Sequence, residues 1–78
     1  MKRYMPLEMC ERIEKLMREK GLTDGELGRM CGVGRQTIWR YRHGDAAMNV
    51  VTFMQMSEAL GVTTDYLLFG DRESELEY

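Results

Sequence analysis

Glycine residues divide the chain into short segments, and each segment repeats its apolar residues with the period of an α-helix. Gly21, Gly32, Gly44 and Gly61 each follow such a segment, and glycine is a common residue just beyond the end of a helix. Proline occurs once, and no alternation of apolar and polar residues reaches the length of a useful β-strand. The pattern therefore predicts an all-α fold, a compact unit of five short helices.

Capping residues indicate where these helices start. Asn49 and Thr63 precede apolar runs, and Thr23 with Glu26 matches a capping box, in which a hydroxyl and a carboxylate each accept from the other residue's amide. The third helix is predicted over about 35–43, ending at Gly44. The predicted helices begin at Pro6, Thr23, about Arg35, Asn49 and Thr63.

Each predicted helix has apolar positions that can face a common core. With 78 residues, the chain has room for one small domain, which we assign to residues 1–70. Residues 71–78 form an acidic C-terminal tail. The apolar positions are Met9, Ile13, Leu16 and Met17; Leu27, Met30 and Cys31; Val50, Phe53, Met54, Met56, Ala59 and Leu60; and Tyr66, Leu67 and Leu68.

Two glycines inside the short second helix need an explanation. Gly25 and Gly28 would each cost up to about 1 kcal/mol relative to alanine. The close approach of another helix at Gly28 would offset that cost, because a side chain there would block the contact.

The cysteines favour reduced thiols. Cys10 and Cys31 lie far apart in the chain and form no CxxC pair, so two separate thiols, with Cys31 in the core, are expected, as in a reducing cytoplasm. One histidine and two isolated cysteines do not make a zinc site of usual composition. There is no phosphate-binding loop, no catalytic constellation and no apolar run of membrane-spanning length. Neither an enzyme, a cofactor, a metal nor a small-molecule ligand is expected.

Charge is distributed unevenly along the chain. The net charge of −2 gives no argument for nucleic acid, but residues 27–44 carry four basic side chains and no acidic one. Residues 45–78 carry one basic and seven acidic side chains. An uninterrupted basic segment within an acidic chain suggests an anion-binding role.

The predicted third helix separates its apolar and polar residues onto two faces. At about 100° per residue, Ile38 and Tyr41 share one side. Guanidinium groups pair with guanine and the glutamine amide pairs with adenine in the major groove; the alternative is a solvated face that only keeps the domain soluble. The opposite side carries Arg35, Gln36, Trp39, Arg40 and His43.

The segment from Asp24 to His43 resembles the helix-turn-helix of phage-type Cro and repressor proteins (the Xre-like family). That family has a very small residue where Gly28 stands and a glycine in the turn where Gly32 stands. The similarity extends over about residues 10–70. Apolar positions of the family are matched by Leu27, Cys31, Val33, Ile38 and Tyr41.

The resemblance implies a repressor-like domain whose third helix lies in the major groove, and a homodimer, at least on DNA, that recognises a palindromic operator. It implies DNA base contacts from Arg35, Gln36 and Arg40, to which we add Trp39. Lys2 and Arg3 would add positive charge. The implied phosphate contacts are Thr23, Asp24, Arg29, Thr37, Arg42 and His43.

Three positions depart from the family pattern. Asp24 stands where glutamine is common, and its carboxylate would have to turn aside to cap its own helix. Met17 and Arg42 occupy the places of a frequent arginine–glutamate pair, so we expect the pair to be lost, with Met17 packed on the stem of Arg42 and the guanidinium freed for phosphate. Gly34 replaces the usual serine or threonine cap of the third helix, a change of a few tenths of a kcal/mol.

Trp39 and the last apolar residues have open assignments. Trp39 could meet a thymine methyl or sugar, bury against residues 45–49, or lie in a subunit contact. Leu68 and Phe69 belong either to the last layer of the core or to a dimer interface.

These features predict a small transcriptional regulator of a phage or mobile element that binds double-stranded DNA sequence-specifically, represses transcription and acts in the cytoplasm. The alternative is a protein-interaction module, or an antitoxin-type partner binder, that keeps the fold with weak or no DNA binding. Asp24, Trp39 and the net negative charge support that alternative.

Overall fold

The computed structural model describes residues 4–70, which fold into five α-helices and, within that range, no β-strand. The all-α prediction is confirmed. Lys2, Arg3 and the acidic tail 71–78 lie outside the described residues. The helices are α1 (Leu7–Lys20), α2 (Asp24–Cys31), α3 (Arg35–Arg42), α4 (Val50–Leu60) and α5 (Thr64–Phe69).

The caps form where the sequence predicts them. The side chains of Thr23, Asn49 and Thr63 accept from backbone amides in the first turns of α2, α4 and α5. Two boundaries differ by one residue: Pro6 is the N-cap of α1 rather than its first helical residue, and α3 ends at Arg42 with His43 as its cap. Helix ends are expected to shift by this much because terminal hydrogen bonds are weak.

One core joins all five helices. α2 packs against α3 and α4, and α1 packs against α3, α4 and α5. Met30, Val50 and Met54, which the apolar pattern assigned to the buried faces, instead point outward with 51%, 72% and 54% of their surface exposed. The side chains with 2% exposure or less are Cys10, Ile13, Leu27, Cys31, Ile38, Met56, Leu60 and Leu67.

Both thiols lie inside the protein and no disulfide joins them. The Cys10 thiol donates to the backbone carbonyl of Tyr41 at 3.2 Å. Burial raises the pKa of the Cys31 thiol, because a thiolate is poorly solvated there. The prediction that Cys31 lies in the core is confirmed.

Arg12 fixes the end of α5 against α1. Its Nε donates to the carbonyl of Leu67 at 3.1 Å and its Nη2 to the carbonyl of Leu68 at 2.7 Å. These carbonyls belong to the last turn of a helix, where intrahelical partners run out. Among residues 4–70, no helix is long and apolar enough to cross a membrane.

Candidate nucleic-acid interface

The turn between α2 and α3 sets the orientation of α3 relative to α2. Gly32 has φ +72°, a left-handed conformation that glycine adopts without steric cost. The next amide, that of Val33, donates back to the carbonyl of Gly28 at 2.9 Å. These two features end α2 and lead the chain into α3 within three residues.

Gly28 is required by the backbone of this turn. A Cβ atom at Gly28 would lie 2.6 Å from the carbonyl oxygen of Val33 and 3.3 Å from the carbonyl carbon and oxygen of Gly34. The sequence correctly predicts a close approach, but the neighbour is the backbone that leads into α3 rather than the side of another helix. Gly28 therefore allows α3 to start directly against α2.

α3 has one buried face and one exposed face, as predicted. Ile38 is fully buried and Tyr41 is 6% exposed, so these two side chains anchor the helix. All five polar or aromatic side chains assigned to the opposite face are exposed in the structure: Arg35, Gln36, Trp39, Arg40 and His43.

Four of these side chains line a single groove. Arg35, Gln36, Trp39 and Arg40 surround an open volume of about 480 Å³, and Asp24 from the start of α2 closes one side of it. Arg40 also donates from Nη2 to the carbonyl of Asp45 at 3.4 Å, a long and weak bond. The groove therefore offers two guanidinium groups, an amide and an indole to whatever enters it.

The guanidinium of Arg42 is not free, which corrects the expectation from the sequence. Its Nε and Nη2 donate to the two carboxylate oxygens of Asp24 at 2.8 and 2.9 Å, and its Nη1 donates to Glu14 at 2.9 Å. Met17 is buried and lines the same recess as Arg42. The ion pair between α1 and α3 is therefore retained with its charges reversed: the arginine lies on α3 and the acid on α1.

The ion-paired cluster of Arg42, Asp24 and Glu14 changes the role expected for Asp24. The Asp24 carboxylate does turn aside, but it binds Arg42 instead of capping its own helix, where Thr23 is the cap. The bond to Asp24 is the main reason that the pKa of the Arg42 guanidinium rises above its ordinary value. Sequence reasoning missed Glu14; its position one turn before Met17 places it on the same side of α1.

The N-terminus of α2 is partly occupied by its own capping box. The amide of Thr23 donates to the Glu26 carboxylate at 2.9 Å, and the amide of Glu26 donates to the Thr23 hydroxyl at 3.1 Å. The bond from the Thr23 amide is the main cause that lowers the pKa of Glu26. Of the first amides in this helix, those of Asp24 and Gly25 remain available to an anion.

The remaining predicted phosphate contacts occupy different environments. Arg29 is exposed on α2, and Thr37 is half-buried on the flank of α3. Gly34 caps α3 with extended backbone and no side-chain hydrogen bond, as its lack of a side chain requires.

Trp39 and His43 form a stacked pair on the exposed face of α3. Their ring centroids lie 3.8 Å apart at an interplanar angle of 22°, and His43 Nδ1 lies 2.8 Å from the carbonyl oxygen of Trp39. Trp39 remains 46% exposed. None of the three predicted environments for Trp39 includes this stack, which arises because positions four apart are neighbours on a helix.

A family model described as Helix-turn-helix (HTH_3) matches residues 13–67 of the chain. The chain is also 35% identical over 60 residues to YonR of Bacillus subtilis (strain 168), whose name describes an SPbeta prophage-derived, uncharacterized HTH-type transcriptional regulator. That alignment covers 77% of this chain and 56% of the relative, so the chain spans little more than half the length of YonR.

Solved structures share the arrangement of the helices. The crystal structure of the P22 c2 repressor in complex with a synthetic operator has a TM-score of 0.78 at 32% identity, over 81% of this chain and 96% of that chain. The solution structure of the P22 c2 DNA-binding domain has a TM-score of 0.77 at 30% identity, over 91% and 90% of the two chains. The restriction-modification controller C.AhdI from Aeromonas hydrophila shares the fold, with a TM-score of 0.72 at 21% identity over 78% and 88% of the two chains.

Proposed function

Because the chain belongs to the helix-turn-helix family, we propose that it is a small transcriptional regulator that binds double-stranded DNA sequence-specifically and acts as a repressor. The observation that carries this function is the exposed face of α3, with Arg35, Gln36 and Arg40 around one groove. An α-helix fits the major groove of B-DNA, where these side chain types distinguish base pairs. The similarity to a prophage regulator supports a role in a phage or mobile element, in the cytoplasm.

Specificity and affinity come from different residues in this proposal. Arg35 and Arg40 bind guanine edges and Gln36 binds adenine, with Trp39 contributing an apolar contact. Arg29, the hydroxyls of Thr37 and Thr23, and the N-terminus of α2 at Asp24 contact phosphate. The backbone amide of Asp24 makes this contact, since its carboxylate is held by Arg42.

The surface that we propose for homodimerisation lies around the start of α4. Val50 is 72% exposed, Tyr4 is 56% exposed and Leu68 is 39% exposed, and all three line a shallow apolar cleft with the half-buried Phe53. An exposed apolar patch on a small protein commonly marks an interface. A two-fold axis through it would give the DNA site palindromic symmetry.

Selection of binding sites from random duplexes tests this function. We expect a palindromic site, and we expect the logarithm of the affinity to fall with the logarithm of salt concentration, at about −0.9 for each phosphate contacted. Gln36→Ala should relax the choice at one base pair in each half-site by about 1–3 kcal/mol. Arg29→Gln should instead weaken binding to all sequences and reduce the salt slope by about 0.9.

Lys15→Gln is a matched control for Arg29→Gln, because Lys15 is exposed on α1 and does not line the groove. It should leave both affinity and salt slope unchanged. Failure of the purified protein to bind any duplex at low salt would contradict the proposal. That outcome would favour a module that binds other proteins through the same fold.

A further inference from the structure

The stacked pair Trp39–His43 is the feature of the α3 surface that phosphate binding and hydrogen bonding to bases leave unexplained. Trp39 is the only tryptophan in the chain, and it is 46% exposed on the face of α3 that carries Arg35, Gln36 and Arg40. Tryptophan is enriched at binding interfaces, because its ring offers a large apolar area and its indole N–H can find a hydrogen-bond partner. A role for this indole should therefore follow from where it is held and what surrounds it.

Two contacts hold the imidazole of His43 against Trp39. The rings stack at 3.8 Å, and His43 Nδ1 lies 2.8 Å from the Trp39 carbonyl oxygen. A carbonyl oxygen only accepts, so Nδ1 carries the hydrogen and donates it. The imidazole is thus fixed to the backbone of the same helix, and it supports one face of the indole.

The indole is the main apolar surface in the groove. Its neighbours there are Arg35, Gln36, Arg40 and Asp24, all polar or charged. On the base edges that face the major groove, the thymine C5-methyl is the one apolar group. The Trp39 indole is an apolar surface among hydrogen-bonding side chains. It is therefore complementary to a thymine methyl group, which lies among polar base edges.

We infer that Trp39 determines specificity by contacting a thymine C5-methyl in the major groove, and that His43 is a positioning residue that holds the indole in place. This inference rests on the proposed DNA binding, and it assigns His43 a role different from the phosphate contact that the family resemblance implies. A planar side chain held on one face presents its remaining surface in a single orientation, which discriminates better than a freely rotating one.

Methyl deletion in the DNA tests the contact directly. Replacing thymine by deoxyuridine, one position at a time in the selected site, removes the methyl and keeps the hydrogen-bonding edge. We expect one thymine in each half-site at which the wild type loses roughly four-fold in affinity, the equivalent of burying one methyl-sized group. Trp39→Ala should bind the thymine and deoxyuridine duplexes equally.

Two substitutions of His43 separate positioning from phosphate binding. His43→Phe keeps a ring that can stack on Trp39 but has no polar atom for phosphate, whereas His43→Gln keeps a polar group and loses the ring. If His43 positions the indole, His43→Phe should retain the preference for thymine over deoxyuridine and His43→Gln should reduce it. Because Trp39 is the sole tryptophan, its emission should shift to longer wavelength in His43→Gln but not in His43→Phe.

The outcomes are distinguishable. A protein that binds no duplex overturns the proposed function, and this inference with it. A protein that binds specifically, but shows no loss with deoxyuridine or selects half-sites without thymine, overturns the methyl contact alone. The positioning role is wrong if His43→Gln retains the thymine preference while His43→Phe loses affinity for both duplexes equally and has a lower salt slope. His43 is then a phosphate contact.

Discussion

Gly28 determines how closely α2 and the start of α3 can approach. Gly28→Ala would place a Cβ 2.6 Å from the Val33 carbonyl oxygen, and backbone atoms cannot move aside as the end of a side chain can. We expect a loss of about 1–3 kcal/mol in the free energy of unfolding, measured by urea denaturation. DNA affinity should also fall, because the turn that orients α3 must shift.

Gly25→Ala is the matched control for that substitution. Gly25 lies in the same helix, and the nearest atom to an added Cβ is the Thr23 hydroxyl oxygen at 4.0 Å. Alanine should here stabilise the protein by about 0.5–1 kcal/mol through helix propensity. If both variants were stabilised, steric contact with the turn would not be the reason for glycine at position 28.

Arg42 acts, in our interpretation, by neutralising Asp24 next to the bound DNA. The Arg42 and Asp24 side chains are 20% and 24% exposed, and the pair lies beside the end of α2 that we propose faces phosphate. Arg42→Met should leave the carboxylate uncompensated and weaken DNA binding roughly five-fold per half-site, the effect of a repulsion of about 1 kcal/mol. Asp24→Asn in the same protein should restore most of the affinity.

Fluorescence anisotropy with labelled operator measures all three variants, and circular dichroism shows that each is folded. A direct contact between Arg42 and phosphate predicts a different result. In that case Asp24→Asn restores nothing, and the salt slope of Arg42→Met falls by about 0.9.

At the level of the helices, the capping box of α2 makes its stability depend on pH. The bonds from Thr23 lower the pKa of Glu26 from its ordinary value of 4.5. A lowered pKa in the folded state means that the carboxylate stabilises the protein above the unfolded pKa, and that this contribution is lost as pH falls through the folded pKa. The difference in unfolding free energy between wild type and Glu26→Gln should therefore be constant near neutrality and change below about pH 4.5. A difference that stayed constant down to pH 3 would contradict this.

The helix boundaries were predictable because caps are local. Thr23, Asn49 and Thr63 each bind an amide only three residues away, a distance along the chain that a sequence pattern captures. The faces of α4 were less predictable: Val50, Met54 and Met56 are all apolar, and only Met56 is buried. Apolar residues lie on several sides of α4, so the sequence does not indicate which side packs inward.

In the candidate site, the exposed face of α3 could be predicted from the helical period. The ion pairs that hold α3 against α1 and α2 could not. Arg42 binds Asp24 and Glu14, which are 18 and 28 residues away. Which acid reaches the guanidinium depends on how α1, α2 and α3 pack, and no local spacing encodes that packing. The family pattern places the ion pair at the positions of Met17 and Arg42 with the opposite charges, so it does not indicate Glu14.

For the whole molecule, the apolar surface around Val50 has no partner among the described residues, and we expect it to form the dimer interface. Val50→Glu tests this without harming the fold, because Val50 is the first residue of α4 and an acid there favours the helix dipole. An unpaired carboxylate in the interface should weaken dimerisation by about 2 kcal/mol or more. Sedimentation measures this loss directly. The variant should also lose the extra affinity that a dimer has for a palindrome over two independent half-sites.

Gln55→Glu adds the same charge to an exposed position of α4 outside the cleft, so it should dimerise as the wild type does. Binding of Val50→Glu to an isolated half-site should also be unchanged, since α3 is untouched. If Val50→Glu and Gln55→Glu sediment alike and bind the palindrome equally well, the two-fold contact lies elsewhere on the molecule. The exposed valine would then have to be explained by another partner.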